Sequence, residues 1–115
     1  MHELSIAISI VDLAVEEAAA RGNAEVLAVH LRLGSLSGVV KEALQSCYEM
    51  ACRSTSLEGS RLLIEEVPVE VFCPQCRAPR RIPSVQYLCC PECGTPGSQV
   101  IHGKELEVVA LELSE

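Results

Sequence analysis

The chain has no tryptophan, and its aromatic residues number three: Tyr48, Phe72 and Tyr87. A core built from it must therefore be aliphatic, and Leu, Val, Ile and Ala are abundant enough to make one. No apolar run approaches the length of a membrane span. The apolar stretch from Leu4 to Val15 has no Lys or Arg before it, and Asp12, Glu16 and Glu17 interrupt its end, which argues against a signal peptide. A Gly-rich phosphate loop is missing. So is any Ser, Cys or His arrangement that would make a nucleophile, and the acidic residues are scattered rather than paired. These absences argue against an enzyme and place the chain in the cytoplasm.

At 115 residues, the length fits one small domain, or one domain with a small module attached. Net charge is −7 and unevenly spread. Residues 73–104 carry Arg77, Arg80, Arg81 and Lys104 against Glu92, whereas the remainder holds five basic and fifteen acidic side chains. Such an acidic body repels a phosphate backbone and suits a basic protein partner or a cation.

Seven cysteines are present, an odd and clustered set that does not fit a disulfide scaffold. Four form two C-P-x-C turns, Cys73-Pro74-Gln75-Cys76 and Cys90-Pro91-Glu92-Cys93, with thirteen residues between Cys76 and Cys90. Two such turns facing each other bring four thiolates to one point, as a tetrahedral metal requires. The connecting loop is slightly shorter than in the usual zinc ribbon. Zn(II) is the favoured occupant, closed and structural; rubredoxin-type iron accepts the same sulfur cage and stays open as a competitor. Cys89, next to Cys90, is read as a bystander or a substitute ligand. Cys47 and Cys52 are read as small buried hydrophobes on a helix.

Along the chain, Leu4, Ala7, Ile8, Val11, Val15 and Ala18 recur at helical spacing until Gly22, predicting a helix over 4–20. From Glu25 to Leu33 the period becomes two, with Leu27, Val29, Leu31 and Leu33 on one face and His30 and Arg32 on the other. Val40, Ala43, Leu44, Cys47, Met50 and Ala51 predict a second helix. Residues 61–72 read as a strand whose apolar phase slips, through a bulge or through the exit into the cysteine module. Glu105–Leu113 reads as the last strand. The expected fold is α+β: a three-stranded sheet covered by two helices, with an inserted zinc-ribbon module. The expected domains are 1–72 with 104–115, and 73–103.

The start Met1-His2-Glu3 is a second candidate metal site. The α-amine of Met1, the amide nitrogen and imidazole of His2 and the amide of Glu3 can complete a four-nitrogen plane, which suits Ni(II) or Cu(II). His2 is too large for the usual removal of the initiator methionine, so that amine is retained. The plainer reading is an exposed histidine on a frayed terminus. His30 reads as an exposed sheet residue. His102, beside Gly103 at the module's exit, could approach a metal, but no spacing compels it.

The start Met1-His2-Glu3-Leu4-Ser5, the turn Leu33-Gly34-Ser35-Leu36-Ser37-Gly38 and Leu57-Glu58-Gly59 resemble the HypA family. The two C-P-x-C turns and Gly103-Lys104-Glu105-Leu106 extend the match over essentially the whole chain. The resemblance implies a nickel metallochaperone that delivers Ni(II) during NiFe-hydrogenase maturation, with urease as a second recipient for some members. It implies nickel held at Met1, His2 and Glu3, and structural Zn(II) held by Cys73, Cys76, Cys90 and Cys93. The implied partners are a HypB-type GTPase and the hydrogenase large-subunit precursor, without nucleic acid or membrane; a homodimer stays open. Some relatives place an acidic residue near the nickel site before the second helix, where this chain has Val39-Val40-Lys41 with Glu42 beyond. A zinc-ribbon adaptor in transcription or translation and a rubredoxin-like electron carrier are the alternatives, and neither explains the Met-His-Glu start.

Overall fold

The computed structural model describes residues 2–83, 86–97 and 99–114. Helix α1 (Glu3–Ala20) begins where His2, in extended conformation, accepts the Ile6 N–H at 3.2 Å. It ends where Gly22, at φ +75°, and Asn23 turn the backbone into the left-handed region. The chain continues through β1 (Val26–Gly34), α2 (Lys41–Cys52), β2 (Arg61–Val67), β3 (Glu70–Cys73), β4 (Ala78–Arg81), β5 (Gln99–His102) and β6 (Leu106–Leu113). The strands form two three-stranded sheets, ordered β2-β1-β6 and β4-β3-β5. Two helices with small sheets make the architecture α+β, as expected. Among the described residues, no helix is long and apolar enough to cross a membrane.

Two compact units divide the chain. The first comprises the chain up to Arg32, Gly38–Glu65 and the chain from Glu107 onward. In it α1 packs against α2, but neither helix buries the stripe that periodicity suggests. Helix α1 buries Ile6, Ala7, Ile10, Val11, Ala14 and Ala18, leaving Leu4, Ile8, Leu13 and Val15 exposed. Its sequence is apolar almost all round, so period alone does not choose a face. Ala7 and Ala14, fully buried, let a neighbouring element approach closely. Helix α2 buries Leu44, Tyr48 and Cys52, one turn apart, while Val40 and Met50 are exposed and Cys47 is half-buried. Tyr48 tolerates burial because its hydroxyl meets Ser60 Oγ at 2.7 Å, and burial pushes its pKa up. The Gln45 side chain donates to the Leu62 carbonyl at 3.1 Å, tying α2 to β2.

Central strand β1 keeps its expected alternation from Val29 onward. Val29, Leu31 and Leu33 are buried, while His30 and Arg32 meet acids from the flanking strands. His30 lies 3.4 Å from Glu112, and Arg32 lies 3.8 Å from Glu65 and 3.5 Å from Glu107. Each such half-exposed pair contributes about 0–1 kcal/mol. Leu27 departs from the expected face pattern in being exposed, with Val26 and Ala28 buried on either side of it.

The second unit comprises Leu33–Ser37 and Glu66–Leu106. The single strand expected over 61–72 is two strands belonging to different sheets. Pro68 has no N–H to continue β2, so pairing stops at Val67 and resumes at Glu70. The phase slip is explained: Leu62 serves one sheet, while Val69 and Val71 serve the core of the other. That core contains Val69, Val71 and Ile82, packed with Leu36, Leu88 and Val100. Strands β3 and β4 pair antiparallel with Val71 opposite Arg80 and Cys73 opposite Ala78. β3 also pairs antiparallel with β5, with an irregularity between Glu70 and Val71. Gly34 sits where any Cβ would run into the Gly103 carbonyl. Its N–H reaches the Glu105 carbonyl at 2.7 Å, and the Leu36 N–H reaches the Gly103 carbonyl at 2.6 Å.

Candidate metal centre

The two C-P-x-C segments fold into equivalent turns. In the first, the Arg77 N–H donates to the Cys73 carbonyl at 2.8 Å; in the second, the Gly94 N–H donates to the Cys90 carbonyl at 2.8 Å. The residue closing each turn is left-handed, Arg77 at φ 54° and Gly94 at φ 79°. A glycine accepts that conformation freely, whereas an arginine there costs roughly 1–2 kcal/mol. The Cys76 N–H points at Cys73 Sγ at 3.3 Å, so the backbone of the first turn already faces a sulfur.

The turns bring Cys73, Cys76, Cys90 and Cys93 together, with all four sulfurs within 4.8 Å of one another. Cys73 and Cys93 sulfurs are 3.5 Å apart, and those of Cys76 and Cys90 are 3.9 Å apart. A tetrahedron of thiolates at the usual Zn–S bond length has edges of about 3.8 Å. The cage therefore fits Zn(II) in size and in donor type. It supplies four ligands and leaves no open position, as in structural rather than catalytic zinc sites.

The four thiols are inequivalent. The Thr95 hydroxyl, 3.2 Å from Cys93 Sγ, is the main influence holding the Cys93 thiol down at about 6, with the Thr95 amide assisting. Burial pushes Cys90 up, but the amides of Cys93 and Glu92 outweigh it and its pKa is lowered. Arg80 pulls Cys76 down, but the neighbouring sulfurs of Cys93 and Cys73 prevail and push it to about 11. One thiol is thus ready to ionise beside another that resists. A divalent cation would relieve that resistance by displacing the protons. Cys89 is half-buried, bridges to Pro96 and lies outside the four-sulfur group.

Of the amino-terminal candidates, Met1 lies outside the described residues. His2 is exposed and precedes the first intrahelical bond, so its amide is not committed to the helix. Glu3 is engaged by a residue far away along the chain. Its carboxylate accepts the Val40 N–H at 3.1 Å, across 37 positions of sequence. That bond is the main reason its pKa is lowered, and the Glu3 amide adds to it. Val40 is the N-cap residue of α2, which has no side-chain cap of its own. Glu3 therefore anchors the amino terminus to the segment Val39-Val40-Lys41. No local signal could have found this pair, because it depends on α1 packing beside α2.

His102 turns to a carboxylate. Its Nδ1 lies 2.8 Å from Glu105 Oε2, and the Gly103 N–H donates to Glu105 Oε1 at 2.7 Å. Chiefly through His102, the Glu105 carboxyl is pulled down to about 2. His30 belongs to the ion ladder on β1. A cavity of about 550 Å³ between α2 and the start of β2, lined by Gln45, Tyr48, Cys52, Ser60 and Arg61 among others, shares no residue with the cysteine cage or the amino terminus.

Known proteins resemble this chain over nearly its whole length. The family model described as hydrogenase/urease nickel incorporation, metallochaperone, hypA matches residues 1–113. The hydrogenase maturation factor HypA of Chloroflexus aggregans is 51% identical over 112 residues, covering 97% of this chain and 98% of the relative. That of a Roseiflexus species is 50% identical over 115 residues, covering 100% and 94%. The solution structure of the Ni metallochaperone HypA from Helicobacter pylori superposes with a TM-score of 0.63 at 26% identity, covering 98% of this chain and 97% of that one. A second HypA solution structure gives a TM-score of 0.70 at 25% identity, covering 99% and 97%. With a family match spanning nearly every residue and relatives of almost the same length, the chain belongs to the HypA family.

Proposed function

We propose that this protein is a nickel metallochaperone of NiFe-hydrogenase maturation, with urease as a further class of recipient. It takes up Ni(II) at its amino terminus and hands it on without catalysing a reaction of its own. The observation that carries this reading is the family match over residues 1–113, which includes the Met1-His2-Glu3 start.

The terminal site suits transfer for physical reasons. The amine of Met1, the amide and imidazole nitrogens of His2 and the amide of Glu3 form adjacent chelate rings in a plane, a donor set matched to Ni(II). His2 is exposed, so a recipient can replace these donors one at a time. The Glu3 carboxylate is occupied by Val40, so its part in the site is to hold the terminus in place while the backbone supplies nitrogen. Protons compete for all these donors, and binding weakens as pH falls.

Cys73, Cys76, Cys90 and Cys93 would hold Zn(II), which when bound would fasten residues 73–103 as a ribbon module. The protein works in the cytoplasm, where the thiols stay reduced. Its partners are a HypB-type GTPase and a hydrogenase large-subunit precursor.

The test is metal titration of untagged protein beside His2→Ala, with nickel and zinc followed separately. His2→Ala should lose the tight, square-planar nickel complex and keep one zinc per chain. Retention of full nickel affinity by His2→Ala would sink the terminal site.

A further inference from the structure

Strand β6 is made largely of residues that a sheet normally buries, and it buries none of them. Leu106, Val108, Val109, Ala110, Leu111 and Leu113 are all half-buried or exposed. Neighbouring β1, by contrast, buries Val26, Ala28, Val29, Leu31 and Leu33. Position explains the difference: in the order β2-β1-β6, β6 has β1 on one side and no described strand on the other. Such an open edge presents unpaired N–H and C=O groups from alternate residues.

The opposite edge of the sheet is guarded. β2 carries Arg61, Glu65 and Glu66 and stops before Pro68. Its Leu62 carbonyl takes the Gln45 side chain at 3.1 Å, and its Val67 carbonyl takes the Ser35 N–H at 3.0 Å. β6 has neither Pro nor Lys, and its two acids are engaged by its own sheet, Glu107 lying 3.5 Å from Arg32 and Glu112 3.4 Å from His30. A groove of about 380 Å³ lies between β6 and α1, lined by Leu13, Glu17 and Arg21 and by β6 from Val108 to Leu111. Leu13 is 49% exposed and Val109 52%, so apolar surface stands bare along this edge.

The two faces of the edge differ in chemistry. Half-buried Leu106, Val108, Leu111 and Leu113 form one; Glu107, Val109, Ala110 and Glu112 form the exposed other, the phase slipping between Val109 and Ala110. The exposed face continues across the sheet to Arg32 and Glu65, so three carboxylates meet a single guanidinium there. A second copy paired along β6 would bring Glu107 and Glu112 of both chains to one joint, and like charges repel. A basic strand is drawn to the same place.

We propose that β6 is a strand-addition site, and that its occupant is an extended segment of another protein in which apolar and basic side chains alternate. Pairing satisfies the open edge. The apolar side chains cover Leu13 and the groove, and the basic ones lie along Glu107 and Glu112. The site shares no residue with either metal centre and does not depend on the nickel reading.

The experiment titrates the zinc-loaded full chain with end-blocked eight-residue peptides and follows backbone amides by NMR. A peptide of alternating valine and lysine should shift the β6 amides and slow their exchange, leaving β2 unchanged. Replacing its lysines by glutamates, or gathering its valines at one end, should weaken binding about 10-fold or more, because charge or alternation is lost. Val109→Lys guards the edge, and Leu13→Gln strips the groove without touching the sheet; each should weaken the valine-lysine peptide by a similar factor. If Val109→Lys disturbs the sheet, Leu13→Gln decides. Equal binding of the glutamate peptide, affinity unmoved by the substitutions, or no β6 shift at millimolar peptide overturns the proposal. A dimer whose β6 amides are protected without peptide overturns it in favour of a second copy.

Discussion

Gly34→Ala tests whether the close approach of two backbone segments in the second unit fixes its structure. A Cβ at position 34 would collide with the Gly103 carbonyl and the Glu105 amide nitrogen, and backbone cannot swing aside as a flexible side chain can. The segment must back away, and three bonds go with it: Gly34 N–H to Glu105 at 2.7 Å, Leu36 N–H to Gly103 at 2.6 Å and Ser35 N–H to Val67 at 3.0 Å. At about 1 kcal/mol net for each backbone bond, the loss is about 3 kcal/mol. The lower entropy of an unfolded alanine chain returns roughly 0.4–1 kcal/mol, leaving a net destabilisation of about 2–3 kcal/mol. Urea denaturation measures the total, and hydrogen exchange at the Leu36 amide locates it. Gly38→Ala is the comparison: Gly38 has φ +79° and nothing within 4 Å of its would-be Cβ. Only backbone strain acts there, costing roughly 1–2 kcal/mol. The steric account is wrong if Gly34→Ala is no less stable than Gly38→Ala, or if Leu36 exchange is unchanged.

Glu3→Ala should release the Val40 amide to solvent exchange and weaken nickel binding while leaving zinc in place. In the wild type the Glu3 pKa lies below its usual 4.5, so the tie to Val40 is complete above that value. As pH falls through the lowered folded-state value the tie is lost, and an NMR titration of the Val40 amide with its midpoint at or above 4.5 would contradict it. Cys89→Ser should keep one zinc per chain and Cys73→Ser should lose it, as metal analysis will show; equal loss in both would bring Cys89 into the cage. Relief of the left-handed strain should make Arg77→Gly about 1 kcal/mol more stable in its zinc-loaded form, and Gly94→Ala should lose a similar amount. A neutral Gly94→Ala in chelator-competition assays would mean the two turns do not share one geometry.

The cysteine cage was legible because its information is local. C-P-x-C closes a turn within four residues, and two such turns specify a tetrahedron almost by themselves. The alternation in β1 was equally direct from Val29 onward, because buried leucines and valines alternate with His30 and Arg32. The burial face of α1 was not legible, since Ile6, Ile8, Ile10 and Leu13 present apolar surface in several directions. On α2, Tyr48 was not part of the predicted apolar stripe, yet it is buried and Ser60, twelve residues later, satisfies its hydroxyl. Strands β3, β4 and β5 have four residues each, too few for periodicity to reveal. Pro68 was the overlooked punctuation that ends β2. The Glu3–Val40 bond depends on which elements become neighbours, and spacing along the chain cannot report that.

The placement of the two tyrosines makes the molecule its own optical instrument. With no tryptophan present, tyrosine dominates the near-ultraviolet fluorescence, and the two rings fall in different units. Tyr48 is buried at 2% exposure against Ser60, whereas Tyr87 is 74% exposed in the unit that carries the cysteines. Phenylalanine at either position leaves a single emitter that reports on one unit alone. The state of each unit can then be followed as a separate signal, without attaching a dye or a tag to the chain.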